Sequence, residues 1–182
     1  QCLYEGRWHE AAAAEHIGMG LAGRAIGYVG FGNIGQDLYR LAEPFDMRHL
    51  VYDPYLNENA ADGFDIERVD FETLLVQSDV IVLLCLLTDE TRHLINEGAL
   101  HRMKNTAYLI NVARGAIIDQ AALARALVSG EIAGCGLDAY DPEPIAADDP
   151  LLKLHNANLT PHALGYTDEM IRLCSELCVE AA

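Results

Sequence analysis

The sequence predicts a doubly wound α/β fold, a parallel sheet with helices on both faces. Three observations carry this expectation. Apolar, strand-like runs alternate with helix-like segments along the chain. Several runs are continuously apolar, as in Val80-Ile81-Val82-Leu83-Leu84, which is the pattern of parallel strands covered on both faces. The run Gly30-Phe31-Gly32-Asn33-Ile34-Gly35 follows the first such strand and opens the next helix.

Taken in order, residues 1 to about 17 read as helix. Gly18-Met19-Gly20-Leu21-Ala22-Gly23 also matches G-x-G-x-x-G, but it follows a helix and precedes a strand, so it reads as a loop. Strands are expected at 25–29, 48–52, 80–84, 107–111, 133–137 and 158–160, and helices at 34–42, 71–77, 97–103, 120–128 and 168–179. Asp119 is placed to cap the fourth of these helices and Gly130 to end it, with Leu123, Ala126 and Leu127 on one face. Ile171, Cys174, Ser175 and Cys178 share a face of the last helix, read as a packing face. The proline-rich stretch 139–150 is long for a loop in a compact domain, and such loops are often functional. There is no internal repeat.

The 182 residues favour one domain with a full core. Twelve Lys and Arg stand against 28 Asp and Glu, a net charge of -16 that repels nucleic acid and anionic membranes. An anionic substrate must then be captured by a local cation. No apolar run approaches the ~20 residues of a membrane span. Five scattered cysteines without C-x-x-C read as free thiols of a reducing cytoplasm, with neither disulfide nor metal.

The glycine run carries the first function. Gly30 permits a tight turn, Gly32 lets the backbone approach a pyrophosphate, and Gly35 packs helix on strand. The N-terminus of the helix that follows faces the phosphates with free N–H groups. Asp53 ends the next apolar run, 18 positions past Gly35. It can accept both ribose hydroxyls and would repel a 2′-phosphate, so this Rossmann-like arrangement favours NAD over NADP. Ligands in such folds sit beyond the carboxyl ends of the strands. There stand Thr88, Val112, Ala113 and Arg114, then Asp138 and Glu143, then His162 and Gly165. An Arg, a Glu and a His beside a nicotinamide suit reduction of a 2-oxo acid. Arg114 can fork to a carboxylate and polarise a keto oxygen. His162 can exchange a proton with that oxygen, and Glu143 can orient the ring and oppose its loss of charge.

From Gly23 to Thr167 the chain resembles the D-isomer-specific 2-hydroxyacid dehydrogenases. The likeness lies in Val29-Gly30-Phe31-Gly32-Asn33-Ile34-Gly35, Tyr52-Asp53-Pro54, residues 87–96, Asn111-Val112-Ala113-Arg114-Gly115, Gly136-Leu137-Asp138-Ala139-Tyr140 with Glu143-Pro144, and Leu159-Thr160-Pro161-His162. The resemblance implies Arg114, Glu143 and His162 as the catalytic residues. It implies Asp138 as the holder of the nicotinamide carboxamide, Asn33 and Ile34 as backbone contacts to the pyrophosphate, and a homodimer joined through this domain. The related formate dehydrogenases carry Gln where Glu143 stands, so Glu143 favours a hydroxy acid over formate. The chain departs from the family at Leu84, where His is frequent, at Leu86, where Pro is frequent, and at Leu164, where Gly is usual.

The resemblance also implies a second, substrate-capturing domain outside this sequence. Residues 1–18 then read as the remnant of an interdomain helix, 19–166 as the NAD-binding domain, and 167–182 as the start of a helix returning to the other domain. The expected function is NAD-dependent interconversion of a D-2-hydroxy acid and a 2-oxo acid, with the piece alone binding NAD but turning over poorly. The alternative is an NAD(H)-sensing binding protein, since the C-terminal-binding transcriptional corepressors resemble the same family and keep the Arg, Glu and His.

Overall fold

A computed structural model describes residues 18–180. The helix expected over residues 1 to about 17 lies outside the described residues. In chain order the elements are β1 (Ala25–Val29), α1 (Asn33–Ala42), β2 (Arg48–Tyr52), β3 (Glu67–Arg68), α2 (Phe71–Gln77), β4 (Val80–Leu83), α3 (Glu97–Arg102), β5 (Tyr108–Asn111), α4 (Gln120–Ser129), β6 (Gly134–Leu137), β7 (Ala157–Leu159) and α5 (Asp168–Glu180). One sheet holds the strands in the order β3-β2-β1-β4-β5-β6-β7, all parallel. The chain runs outward from β1 to β3, then returns to the other side of β1 and builds β4 to β7. The order reverses between β1 and β4, and the crevice at that switch point is where such sheets bind ligands.

Each face of the sheet has its own core. Alternation along β1 sends Ile26 and Tyr28 to one face, where they meet Phe31, Tyr39 of α1, Val51 and Val82. Val29 joins the opposite core with Leu83, Leu109 and the buried residues of α2, α3 and α4. Asp119 caps α4 by accepting from Ala122 N–H, and Gly130 ends it at φ 74°. Leu123, Ala126 and Leu127 are buried, as their spacing predicts. Gly18 to Gly23 form a loop before β1.

Three expectations need correction. The two-residue strand β3 was not read from the sequence. Its residues, Glu67 and Arg68, are both exposed and charged, so it carries no apolar signal. His49 reads from the sequence as a surface or helix residue, but it is buried in β2, with Nδ1 against the Tyr28 hydroxyl at 2.9 Å. Burial pushes its imidazole below the usual pKa despite nearby Asp65 and Glu43. The α5 face read as packing is exposed. Ile171 is 62% accessible, and Cys174 and Cys178 are open as well.

Register fixes where the chemistry lies. Tyr52, Val29, Leu83, Asn111, Leu137 and Leu159 are partners in one row across six strands. The residues that follow each of them therefore line one edge of the sheet: Asp53, Gly30, Leu84, Val112, Asp138 and Thr160.

Candidate cofactor cleft and acid–base site

The three glycines of the first turn answer to different constraints. Gly30 has φ 93°, and a Cβ there would stand 2.9 Å from the Cys85 amide nitrogen. A Cβ on Gly35 would come within 3.0 Å of the Gly30 carbonyl oxygen. Both are required by the chain's own packing. At Gly32 a Cβ would meet nothing within 4 Å, and the residue lines an open cleft. Gly32 is also the N-cap of α1, and no side chain caps the first turn. The helix therefore presents its unpaired N–H groups and positive dipole end there, a ready site for a pyrophosphate.

The cleft measures about 910 Å³. Gly30, Gly32, Asn33, Ile34, Gly35, Asp53 and Thr88 all line it, together with Leu84, Cys85 and Leu86. Its lining carries three acids, Asp53, Asp89 and Glu90, and no Lys, Arg or His. Neutral donors, backbone amides together with the Asn33 and Thr88 side chains, must therefore meet the anionic charge of a dinucleotide from these walls. Asp53 is fixed from both sides: Phe31 N–H donates to Oδ2 and Tyr55 N–H to Oδ1, each at 2.9 Å. Each oxygen keeps a lone pair for a ribose hydroxyl. Asp53→Ala is expected to weaken NAD several-fold and to narrow the gap between NAD and NADP, read by NADH and NADPH fluorescence titration.

Val112, Ala113, Arg114, Asp138, His162 and Gly165 lie further along the same sheet edge, outside the lining of that cleft. Three loops carry Arg114, Glu143 and His162: Glu143 and His162 touch, and Arg114 lies near enough for its charge to act on the Glu143 carboxyl. His162 Nδ1 stands 3.0 and 2.9 Å from the two oxygens of Glu143. Glu143 Oε1 also accepts from Tyr140 N–H at 2.9 Å. That backbone bond first, then the bond to His162, holds the Glu143 carboxyl below its ordinary range, and the charges of His162 and Arg114 add to the effect. Arg114 donates from Nη1 to its neighbour's carbonyl, Ala113, at 2.8 Å and is otherwise exposed. The Nδ1 bond leaves His162 Nε2 as the ring nitrogen available to a substrate.

Two residues without a role assigned from sequence hold these loops. Asn111 is buried and clamps its turn, accepting from Ala113 N–H and donating to the Arg114 carbonyl. A lone amide ending an apolar strand was the available signal. Tyr140 donates its hydroxyl to the carbonyls of Leu137 and Thr160, at 3.1 and 2.7 Å. Asp138, read as the carboxamide partner, also anchors the histidine loop. It accepts from Thr160 Oγ1 at 2.7 Å, Ala163 N–H at 3.0 Å and Leu164 N–H at 3.2 Å. Burial alone would raise its carboxyl, but these bonds and the His162 charge outweigh it and hold it below the usual range. They also steady His162 in the left-handed region, at φ 53°. Gly165 is exposed, with open space where a Cβ would stand.

Residues 1–163 match the family described as D-isomer specific 2-hydroxyacid dehydrogenase, NAD binding domain. The chain belongs to this family. As an NAD-binding domain of that family it takes NAD, and the cleft fits the dinucleotide: open space at Gly32, an uncapped helix start and an acid at the ribose end. The domain is 44% identical over 177 residues to a glyoxylate reductase of Korarchaeum cryptofilum, covering 97% of this chain and 53% of that protein. It is 39% identical over 172 residues to a hydroxypyruvate reductase of Thermotoga maritima, covering 93% and 54%. Among solved structures, D-lactate dehydrogenase with NAD+ from Lactobacillus jensenii superposes with a TM-score of 0.87 at 28% identity, covering 98% of this chain and 58% of that one. The chain thus spans about half the length of the curated relatives it matches. Among the described residues no helix is long and apolar enough to cross a membrane. None of their His, Cys, Asp and Glu side chains gather in groups of three or more that could hold a metal.

Proposed function

We propose that the protein carrying this domain is an NAD-dependent D-2-hydroxyacid dehydrogenase. The observation that carries the reading is the Glu143–His162 pair beside Arg114, one sheet edge along from a dinucleotide cleft in this family's fold. When bound, NAD supplies the hydride acceptor. Arg114 holds the substrate carboxylate and polarises the oxygen at C2. In the oxidative direction His162 Nε2 takes the C2 hydroxyl proton as hydride leaves C2; in the reductive direction it returns that proton to the keto oxygen. Glu143 keeps Nδ1 engaged and carries the charge that balances an imidazolium. Asp138 and Tyr140 act through the backbone that carries His162 and Glu143.

The names of the relatives put glyoxylate and hydroxypyruvate first among the 2-oxo acids to try. The domain boundaries expected from the sequence belong to this reading: 19–166 binds the cofactor, and the flanking segments lead to the domain that closes over the substrate. This chain by itself then binds NAD and turns over slowly, because water is not excluded from Arg114 and His162. A homodimer joined through this domain and a cytoplasmic location go with the same reading. The test is NADH oxidation by the full-length protein against a panel of 2-oxo acids. Turnover of at least one, with the D configuration wherever the product is chiral, supports the proposal. Tight NADH binding without turnover of any would favour an NAD(H)-sensing role.

A further inference from the structure

We propose that Tyr55 and Glu90 form a latch across the adenosine end of the dinucleotide cleft and set how fast the cofactor leaves. The proposal rests on the cleft alone and stands apart from the reaction proposed above. Both residues line the cleft, on segments that follow the strands either side of β1. Tyr55 belongs to the segment after β2, next to Asp53 at the ribose end. Glu90 belongs to the segment after β4. The Tyr55 hydroxyl donates to Glu90 Oε2 at 2.6 Å, joining walls that are 35 residues apart in sequence.

The fold itself has little use for this bond. Tyr55 is 78% exposed, so its ring adds almost nothing to the core. Each wall is already held by its own bonds. Asp53 fixes the Tyr55 amide on one side. On the other, Thr91 Oγ1 accepts from Thr88 N–H at 2.7 Å and donates to the Leu86 carbonyl at 2.6 Å. With both loops pinned, only two side chains need to turn for the mouth to open, a motion of picoseconds to nanoseconds for exposed groups. The bond is charge-assisted and short. The hydrogen bond to Glu90 first, then its charge, pushes the tyrosine above its ordinary pKa, so the hydroxyl remains a donor throughout the neutral range. The acid that meets the ribose also positions the latch residue, so ribose binding and closure share one anchor, Asp53.

The latch is tested in the full-length protein by stopped-flow dissociation of NADH and by AMP competition. Tyr55→Phe keeps the ring and removes only the hydroxyl. It is expected to raise the NADH dissociation rate about threefold to tenfold, to weaken AMP by the same factor, and to leave the unfolding midpoint unchanged. Glu90→Ala should speed dissociation in the parent chain and have no such effect in the Tyr55→Phe background, since the two changes break one bond. An unchanged dissociation rate in Tyr55→Phe overturns the proposal. So does a Glu90→Ala effect of equal size in both backgrounds, or a loss confined to NADH with AMP binding intact. NADH that fails to bind the parent chain at all would overturn it too, whereas absence of turnover bears only on the reaction.

Discussion

In the full-length protein, His162→Ala is expected to lower kcat by about two to four orders of magnitude and to leave the NAD dissociation constant within about twofold. The separation follows from geometry. His162 is not among the residues that line the cleft at Gly30–Gly35 and Asp53, and its Nδ1 is engaged by Glu143. Removing the ring takes away the proton carrier and leaves the phosphate and ribose contacts in place. Glu143 is half-exposed, so its loss should cost the fold little. The pH behaviour of the pair has a fixed sign. Glu143 has a lowered carboxyl pKa, so its charge is present above the ordinary glutamate range and persists at mildly acidic pH. It is lost only as pH falls through the lowered value. Steady-state kinetics with NADH titration on the same variant decides the matter. Collapse of NAD affinity with kcat retained would move His162 out of the acid–base role.

Most of this architecture is written in short-range pattern. Strand-like apolar runs mark six of the seven strands within a residue or so of their ends, because the apolar positions of the inner strands face the two cores. The glycine turn was legible because steric demands at Gly30 and Gly35 are local. What escaped depends on long-range partners. β3 is paired through its backbone to β2 by way of Leu50 and Val51, and its own side chains are charged and exposed. His49 looks like any polar residue on a strand until Tyr28, 21 residues earlier, supplies its hydrogen bond. Asp138 was placed at the right sheet edge, yet its partners Thr160, Ala163 and Leu164 lie on a loop that no spacing rule connects to it. The exposed face of α5 marks the limit of periodicity as a guide: a stripe predicts that a face is apolar, not what covers it.

Gly115→Ala is expected to be the most damaging small substitution in the domain. A Cβ on Gly115 would stand 1.9 Å from the Tyr140 carbonyl carbon and 2.0 Å from its oxygen. Both are backbone atoms, so no side-chain rotation relieves the clash, and one of the two loops must shift. Overpacking of this kind costs about 1–3 kcal/mol and at times more, and in a chain of this size each kcal/mol lowers the unfolding midpoint by about 2–4 °C. The consequence for the site is specific. Gly115 follows Arg114, and the Tyr140 amide holds Glu143. The methyl group therefore displaces the loop that carries Arg114 relative to the loop that carries Glu143. Thermal unfolding should show the loss of stability, while NADH titration at low temperature should show the cleft at Gly32 and Asp53 still competent, because no residue of either displaced loop lines it. A variant with an unchanged midpoint would mean that the two loops stand further apart than the packing of Gly115 on Tyr140 requires. The convergence of Arg114 with Glu143 would lose its structural basis with it.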